Sequence, residues 1–153
     1  MAEVDVNIEG LDQVLRKMGV LRDKRKIRNA AMRAGRKAMN IVRDAARNNA
    51  KAIDDPATYE KIWKNIAVQA GKNRNPDQAL MRVGVKGGAS YSSPTPPITS
   101  GGDTRYWRFI EYGTSEIPAT PFMRPALANN IQKVTDKFSE AFSVELDKEI
   151  DKL

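Results

Sequence analysis

Neither cysteine nor histidine occurs among the 153 residues. Without Cys the chain has no disulfides and no thiol chemistry, an absence compatible with any redox compartment. Without His as well, zinc, copper and haem lose their usual ligands, and only oxygen-ligated ions such as Mg²⁺ remain. The side chain that most often moves protons near neutral pH is missing too. A nucleophilic serine would have only lysine as its base. Glu111 is a lone carboxylate with no second carboxylate in a recognisable motif, so glycosidase-type pairing has no support. No catalytic, cofactor-binding or metal-binding residue is therefore expected. No apolar run approaches the roughly 18 residues of a membrane helix, and the first residues, Met1-Ala-Glu-Val-Asp, are acidic, unlike a signal peptide. A protein made in a cytoplasm, with no membrane contact, is expected.

What the chain does have is positive charge in one place. The net charge is +7, and the stretch Arg16 to Lys51 holds 13 of the 26 Lys and Arg against only Asp23 and Asp44. The first twelve residues carry only acid: Glu3, Asp5, Glu9 and Asp12. Such asymmetry points to an anionic partner, either nucleic acid or the acidic face of a neighbouring subunit. A phosphate-contacting face of helix 22–51, with Arg33, Arg36, Lys37, Arg43 and Arg47 as the candidate DNA-facing residues, stands beside a simple solvated helix face. No helix-turn-helix, zinc finger or RNA-binding motif accompanies the charge, which argues against sequence-specific readout. Gly84-Val-Lys-Gly-Gly and Gly101-Gly-Asp lack the spacing and context of a phosphate loop and read as flexible turns.

The hydrophobic pattern gives the architecture. Val4, Val6 and Ile8 alternate with polar residues as a short edge strand, and Leu11 to Met18 starts a short helix. From Asp23 to Asn49 the apolar positions Ile27, Ala30/Ala31, Ala34, Ala38, Ile41/Val42 and Ala45 keep a 3.6-residue period over roughly 40 Å. This stripe is mostly alanine, so whatever packs on it comes close. Tyr59, Ile62, Trp63 and Ile66 form a short helical or turn segment. Ile66, Val68, Ala70 and Met81, Val83, Val85 read as two antiparallel strands. Residues 87–103, rich in Gly, Ser, Thr and Pro, read as a mobile excursion. Leu127 to Ile150 repeats at helical spacing, with Pro125 or else Pro121 in the first turn. The expectation is one α+β domain over 1–153: a small antiparallel sheet packed against a long basic helix and a C-terminal amphipathic helix.

The densest stretch is Tyr106 to Leu127, "YWRFIEYGTSEIPATPFMRPAL". Tyr106, Phe109 and Ile110 fall three to four apart, a helical turn that Gly113 ends with a positive φ. Pro118 and Pro121 stiffen the residues after that turn. Arginines 105, 108 and 124 interleave with the aromatics, the composition that interface cores favour. Tyr106, Trp107, Arg108, Phe109, Glu111, Tyr112, Gly113, Phe122 and Arg124 are the candidate assembly residues.

Tyr-x-x-Phe-Ile-Glu-Tyr-Gly-Thr followed by Pro-Phe-Met-Arg-Pro-Ala-Leu resembles the signature of the small tail-completion or neck proteins of long-tailed bacteriophages. The Val-x-Ile-x-Gly-Leu-Asp entry, the alanine-rich basic helix and the C-terminal amphipathic helix are similar to that family's layout. The segment Asp55 to Ile66 departs from it, with Tyr59 where glycine is usual, and the 87–103 excursion is longer. The resemblance implies a virion structural protein: a six- or twelve-fold ring of identical subunits at the head–tail junction. Its neighbours would be a head-side connector or adaptor and a tail tube or terminator, with genomic DNA passing through in transient, non-specific contact. On this reading Glu111 fixes local geometry by hydrogen bonding, Gly113 permits the turn, and Phe122 plugs a pocket beside the last helix. The alternative is a non-specific DNA-binding protein using helix 22–51.

Overall fold

The structure, a computed structural model, describes residues 7–153. Val4 and Val6 of the expected edge strand lie outside the described residues, and Ile8 has no strand partner among them. The elements are α1 (Leu11–Leu21), α2 (Lys24–Ala52), α3 (Ile62–Asn65), β1 (Ile66–Ala70), β2 (Met81–Val85), α4 (Trp107–Tyr112), α5 (Arg124–Ala128) and α6 (Ile131–Ile150). Among the described residues, helices with one small two-stranded antiparallel sheet make an α+β chain. The chain gathers into two compact units. The first comprises the residues up to Ile41, Gln69–Arg82 and Asn130–Leu153; the second comprises Val42–Val68 and Val83–Asn129.

Helix α2 contributes residues to both units, its part up to Ile41 to the first and its part from Val42 to the second. Ala30, Ala34, Ala38, Val42, Ala46 and Ala50 recur every four residues, and all are at most 3% exposed. Side chains four apart stack into one row on a helix, and alanine in that row lets neighbours approach the backbone closely. Asp23 starts the helix: its Oδ1 accepts the Lys26 N–H at 3.1 Å, satisfying one of the donors that every helix N-terminus leaves free.

In the first unit α1 packs on α6. Val14, Leu21, Ala30, Ala34, Ala141, Phe142 and Leu146 form the core, with Phe138 stacked on Phe142 at 5.3 Å. Lys17 ties the two helices at their edge, donating to Ser143 Oγ and Asp147 at 2.7 and 2.9 Å. Ser139 Oγ donates to the Glu9 carbonyl at 2.6 Å.

In the strand pair, Gly71 N–H donates to the Leu80 carbonyl and Lys86 N–H to that of Asn65. This register sets Ile66 opposite Val85 and Val68 opposite Val83, so that the buried positions Ile66 and Val85 face each other.

The second unit is built around Val42, Ala46, Ala50, Ile62, Ile66, Val85, Phe122 and Ala126. Its polar centre is Asn65, fully buried. Asn65 Nδ2 donates to Thr99 Oγ1, the Gly102 carbonyl and Thr104 Oγ1 at 3.0, 3.2 and 2.6 Å, and its Oδ1 accepts Gly101 N–H at 2.8 Å. Gly101 lies so close that an added Cβ would meet the Lys61 carbonyl and Asn65 Oδ1. Its lack of a side chain thus serves a close approach of backbones.

One expected boundary differs. The single C-terminal helix is two, α5 and α6, parted at Asn129-Asn130. Asn129 keeps helical angles and its N–H donates back to the Pro125 carbonyl, whereas Asn130 leaves them at φ −127°. Asparagine is a poor interior helix former and readily takes non-helical angles such as those of Asn130, but the pair alone does not force a break, since Asn48-Asn49 lie within α2. Pro125 therefore opens the short helix, where a missing N–H costs nothing.

Candidate functional site

The segment from Tyr106 to Arg124 is a turn clamped by one carboxylate. Helix α4 ends at Gly113, at φ 75° and ψ 175°, where a Cβ would stand 2.7 Å from the Ala119 nitrogen and 2.9 Å from the Ile117 carbonyl oxygen. Only glycine occupies that backbone region without strain, and here the space is closed as well. The chain then turns back. Thr114 N–H donates to the Ile117 carbonyl, Thr114 Oγ1 accepts the Glu116 and Ile117 N–H groups, and Thr120 N–H donates to the Ile110 carbonyl.

This return delivers the start of α5 to Glu111. The Glu111 carboxylate is 1% exposed. Oε2 accepts the Phe122 and Met123 N–H groups at 2.7 and 2.9 Å; Oε1 accepts the Arg124 N–H at 3.0 Å and its Nε at 3.1 Å. Arg124 also donates to the Glu111 carbonyl at 2.8 Å. Glu111 thus caps α5 from eleven residues upstream, satisfying donors that the helix cannot satisfy itself. Burial pushes the carboxyl's pKa up. The three backbone donors and the guanidinium more than offset it and hold the group below its ordinary value.

The candidate assembly residues divide by direction. Phe122 is fully buried and meets Trp107 edge-on at 6.4 Å. Tyr106, Trp107 and Gly113 are half-buried. Burial, and then the carboxylates of Glu60, Asp54 and Asp103, raise the pKa of Tyr106. The Trp107 indole N–H is buried with no hydrogen-bond partner among the described residues. Arg108, Phe109, Tyr112 and Arg124 face outward, with Phe109 53% and Tyr112 60% exposed. Arg124 lies 4.6 Å over the Tyr112 ring, so the clamp also fixes an aromatic on the surface. Ile117 and Leu127, not among the candidate assembly residues, are also exposed.

The basic residues of α2 divide too. Arg33 Nε reaches Glu145 at 2.8 Å and its Nη2 reaches Glu149 at 3.1 Å, while Lys37 reaches Glu145 at 3.0 Å. Hydrogen bonds from Arg33 and then Lys37 lower the Glu145 pKa to about 2, and the Glu145 bond raises that of Arg33. Arg43 pairs with Asp44, and Arg47 donates twice to the Ile66 carbonyl at 3.0 and 2.8 Å. Arg36 is exposed and forms no ion pair among the described residues.

Sequence reading missed Asn65 and Glu145. Neither stands in a motif, and their partners lie 34–39 and 108–112 residues away. Among the described residues no group of three carboxylates could hold a metal ion, and no helix is long and apolar enough to cross a membrane.

The fold and site define a small α+β protein that presents arginine and aromatic side chains on a rigidly held turn. Residues 12–113, two-thirds of the chain, match the HK97-gp10-like family, described as "Bacteriophage HK97-gp10, putative tail-component"; the chain belongs to this family. The match takes in α1 to α4 with Glu111 and Gly113 and stops short of Phe122 and Arg124. No curated protein and no solved structure matches the chain at a significant level.

Proposed function

We propose that this tail-component family member is a virion structural protein of the phage neck, forming a ring of identical subunits that completes the tail at the head–tail junction. The observation that carries the reading is the outward set Arg108, Phe109, Tyr112 and Arg124. A buried carboxylate and four hydrogen bonds hold this turn in place, yet the two aromatics are left half or more exposed. Aromatic and arginine side chains that are already immobilised lose little entropy on docking, which favours them as interface anchors. The faces of the ring would meet a head-side connector or adaptor and a tail tube or terminator. DNA in the channel would make weak, sequence-independent contact, and Arg36 is the member of the basic set best placed to supply it.

The test is native mass spectrometry of the purified chain beside a Phe109→Ser/Tyr112→Ser variant. The expected result is a closed oligomer for the parent and monomer for the variant at the same melting temperature. A variant that assembles as the parent does would remove this surface from the interface. A parent that stays monomeric at every concentration would remove the ring.

A further inference from the structure

From Gly87 to Gly102 there is no charged residue, in a chain that is 29% charged. Within that stretch Ile98 is fully exposed. A bulky aliphatic side chain alone in water is ordinary on a floppy loop; this loop is held. Pro96 and Pro97 precede Ile98 and fix φ at two successive residues. Thr99, on its other side, accepts from the buried Asn65 at 3.0 Å and donates to the Gly102 carbonyl at 2.6 Å. Gly87 at the loop's start lies against Thr99 and Pro97, so the ends of the loop close on each other as in a compact Ω-loop. Ile98 is thus presented on a braced support and fills no hollow among the described residues.

The first unit has an apolar groove that none of the described residues fills. It spans about 270 Å³ over α2 and α6, with Gly35, Met39, Met81 and Phe138 in its lining and no charged residue among the residues that line it. One water occupies about 30 Å³, so the groove has room for a branched side chain and part of a flanking proline. Its walls offer water almost no hydrogen bonds. A chain that carries both an apolar protrusion and an apolar hollow elsewhere on its surface makes head-to-tail contacts, which close into rings when the rotation allows.

We propose that the Ile98 loop of one copy docks in the α2–α6 groove of the next, as a second contact between subunits. The proposal rests on the ring reading and names a contact that reading does not require. Depletion of charge on both sides is what the centre of an interface shows, and mutual neutrality favours this groove over the charged remainder of the surface.

The absence of cysteine permits a cross-linking test without background. Chains carrying Ile98→Cys and differently tagged chains carrying Met39→Cys are mixed and oxidised, with Gln13→Cys replacing Met39→Cys as control. A disulfide-linked mixed pair for Ile98 with Met39, and none with Gln13, is expected. Oligomers without that link overturn the loop contact and leave the ring standing. A chain that stays monomeric and unlinked overturns both. Equal linking to Gln13 also overturns it, because the encounter is then unspecific. Separately, Ile98→Asp should leave the melting temperature unchanged and weaken self-association at least tenfold; unchanged association would count against the contact.

Discussion

Glu145 in α6 and Glu111 at the end of α4 are both nearly sealed from solvent, at 4% and 1% exposure, yet they are satisfied by different means. Glu145 is held by the side chains of Arg33 and Lys37, which are themselves 44% and 49% exposed. Glu111 is held chiefly by three backbone N–H groups, with one guanidinium added. If Glu145 is lost, its cations can turn back to water. If Glu111 is lost, the backbone donors cannot move without unmaking the turn. The first unit thus uses charge to align helices that already share an apolar core, whereas in the second the carboxylate itself sets the backbone.

The largest effect should come from the core beneath that turn. Phe122→Ala is expected to destabilise by about 3–5 kcal/mol, the usual range for truncating a fully buried aromatic. Urea unfolding measures it, and an unchanged midpoint would place Phe122 outside the core. Glu111→Ala should come next at about 2–4 kcal/mol, because it orphans several donors at once. Glu145→Gln should cost only about 1–2 kcal/mol, since its half-exposed partners can rehydrate. If the order of the two glutamate variants were reversed, the contrast between backbone and side-chain satisfaction would fail.

Acid sharpens the same contrast. The Glu145 carboxyl falls from an ordinary 4.5 to about 2 in the folded protein. Between these values the unfolded chain binds more protons than the folded one, so stability rises with pH across the window. Its contribution is complete above about pH 4.5 and is lost as pH falls through about 2. Glu111 is also lowered and adds in the same direction. Unfolding midpoints measured from about pH 6 down to about pH 2 should fall steeply for the parent and less steeply for Glu145→Gln. Parallel curves would show that the Glu145 ion pairs carry no stability.

Helices α1 and α2 and both strands were legible because each is a local, periodic pattern. The positive φ at Gly113 was legible because prolines and aromatics crowd it on both sides. The break at Asn129-Asn130 was hidden, since Leu127 and Ile131 keep helical spacing across it. The 87–103 stretch was read from composition, which shows flexible residues but not their anchors. Asn65 and Arg105, the latter donating to the Ser93 carbonyl at 2.8 Å, supply those from elsewhere in the sequence. Gly87 also takes a positive φ of 91°, which nothing in Gly-Gly-Ala-Ser announces. The pairing of Arg33 and Lys37 with α6 is likewise a long-range fact. Until both helices are placed, the cluster reads only as charge.

The smallest effect on stability separates the cations of α2 from one another. Arg33 is committed to Glu145 and Glu149, while Arg36, three residues on, faces water with no ion pair among the described residues. A surface arginine of that kind can be replaced within about 0.5 kcal/mol, so Arg36→Gln should leave the melting temperature where it is. A phosphate contact, if Arg36 makes one, appears instead in the salt dependence. Removing one phosphate-binding cation makes the slope of log affinity against log salt shallower by about one unit. Arg33→Gln should do the opposite, lowering stability by about 1 kcal/mol with little change in DNA affinity, because its charge is already paired within the fold. Filter binding to random duplex DNA at several salt concentrations, run beside thermal melts of both variants, distinguishes them. Equal loss of DNA affinity in the two variants would show that the whole basic face acts together, and that the ion pairs to α6 open when DNA is present.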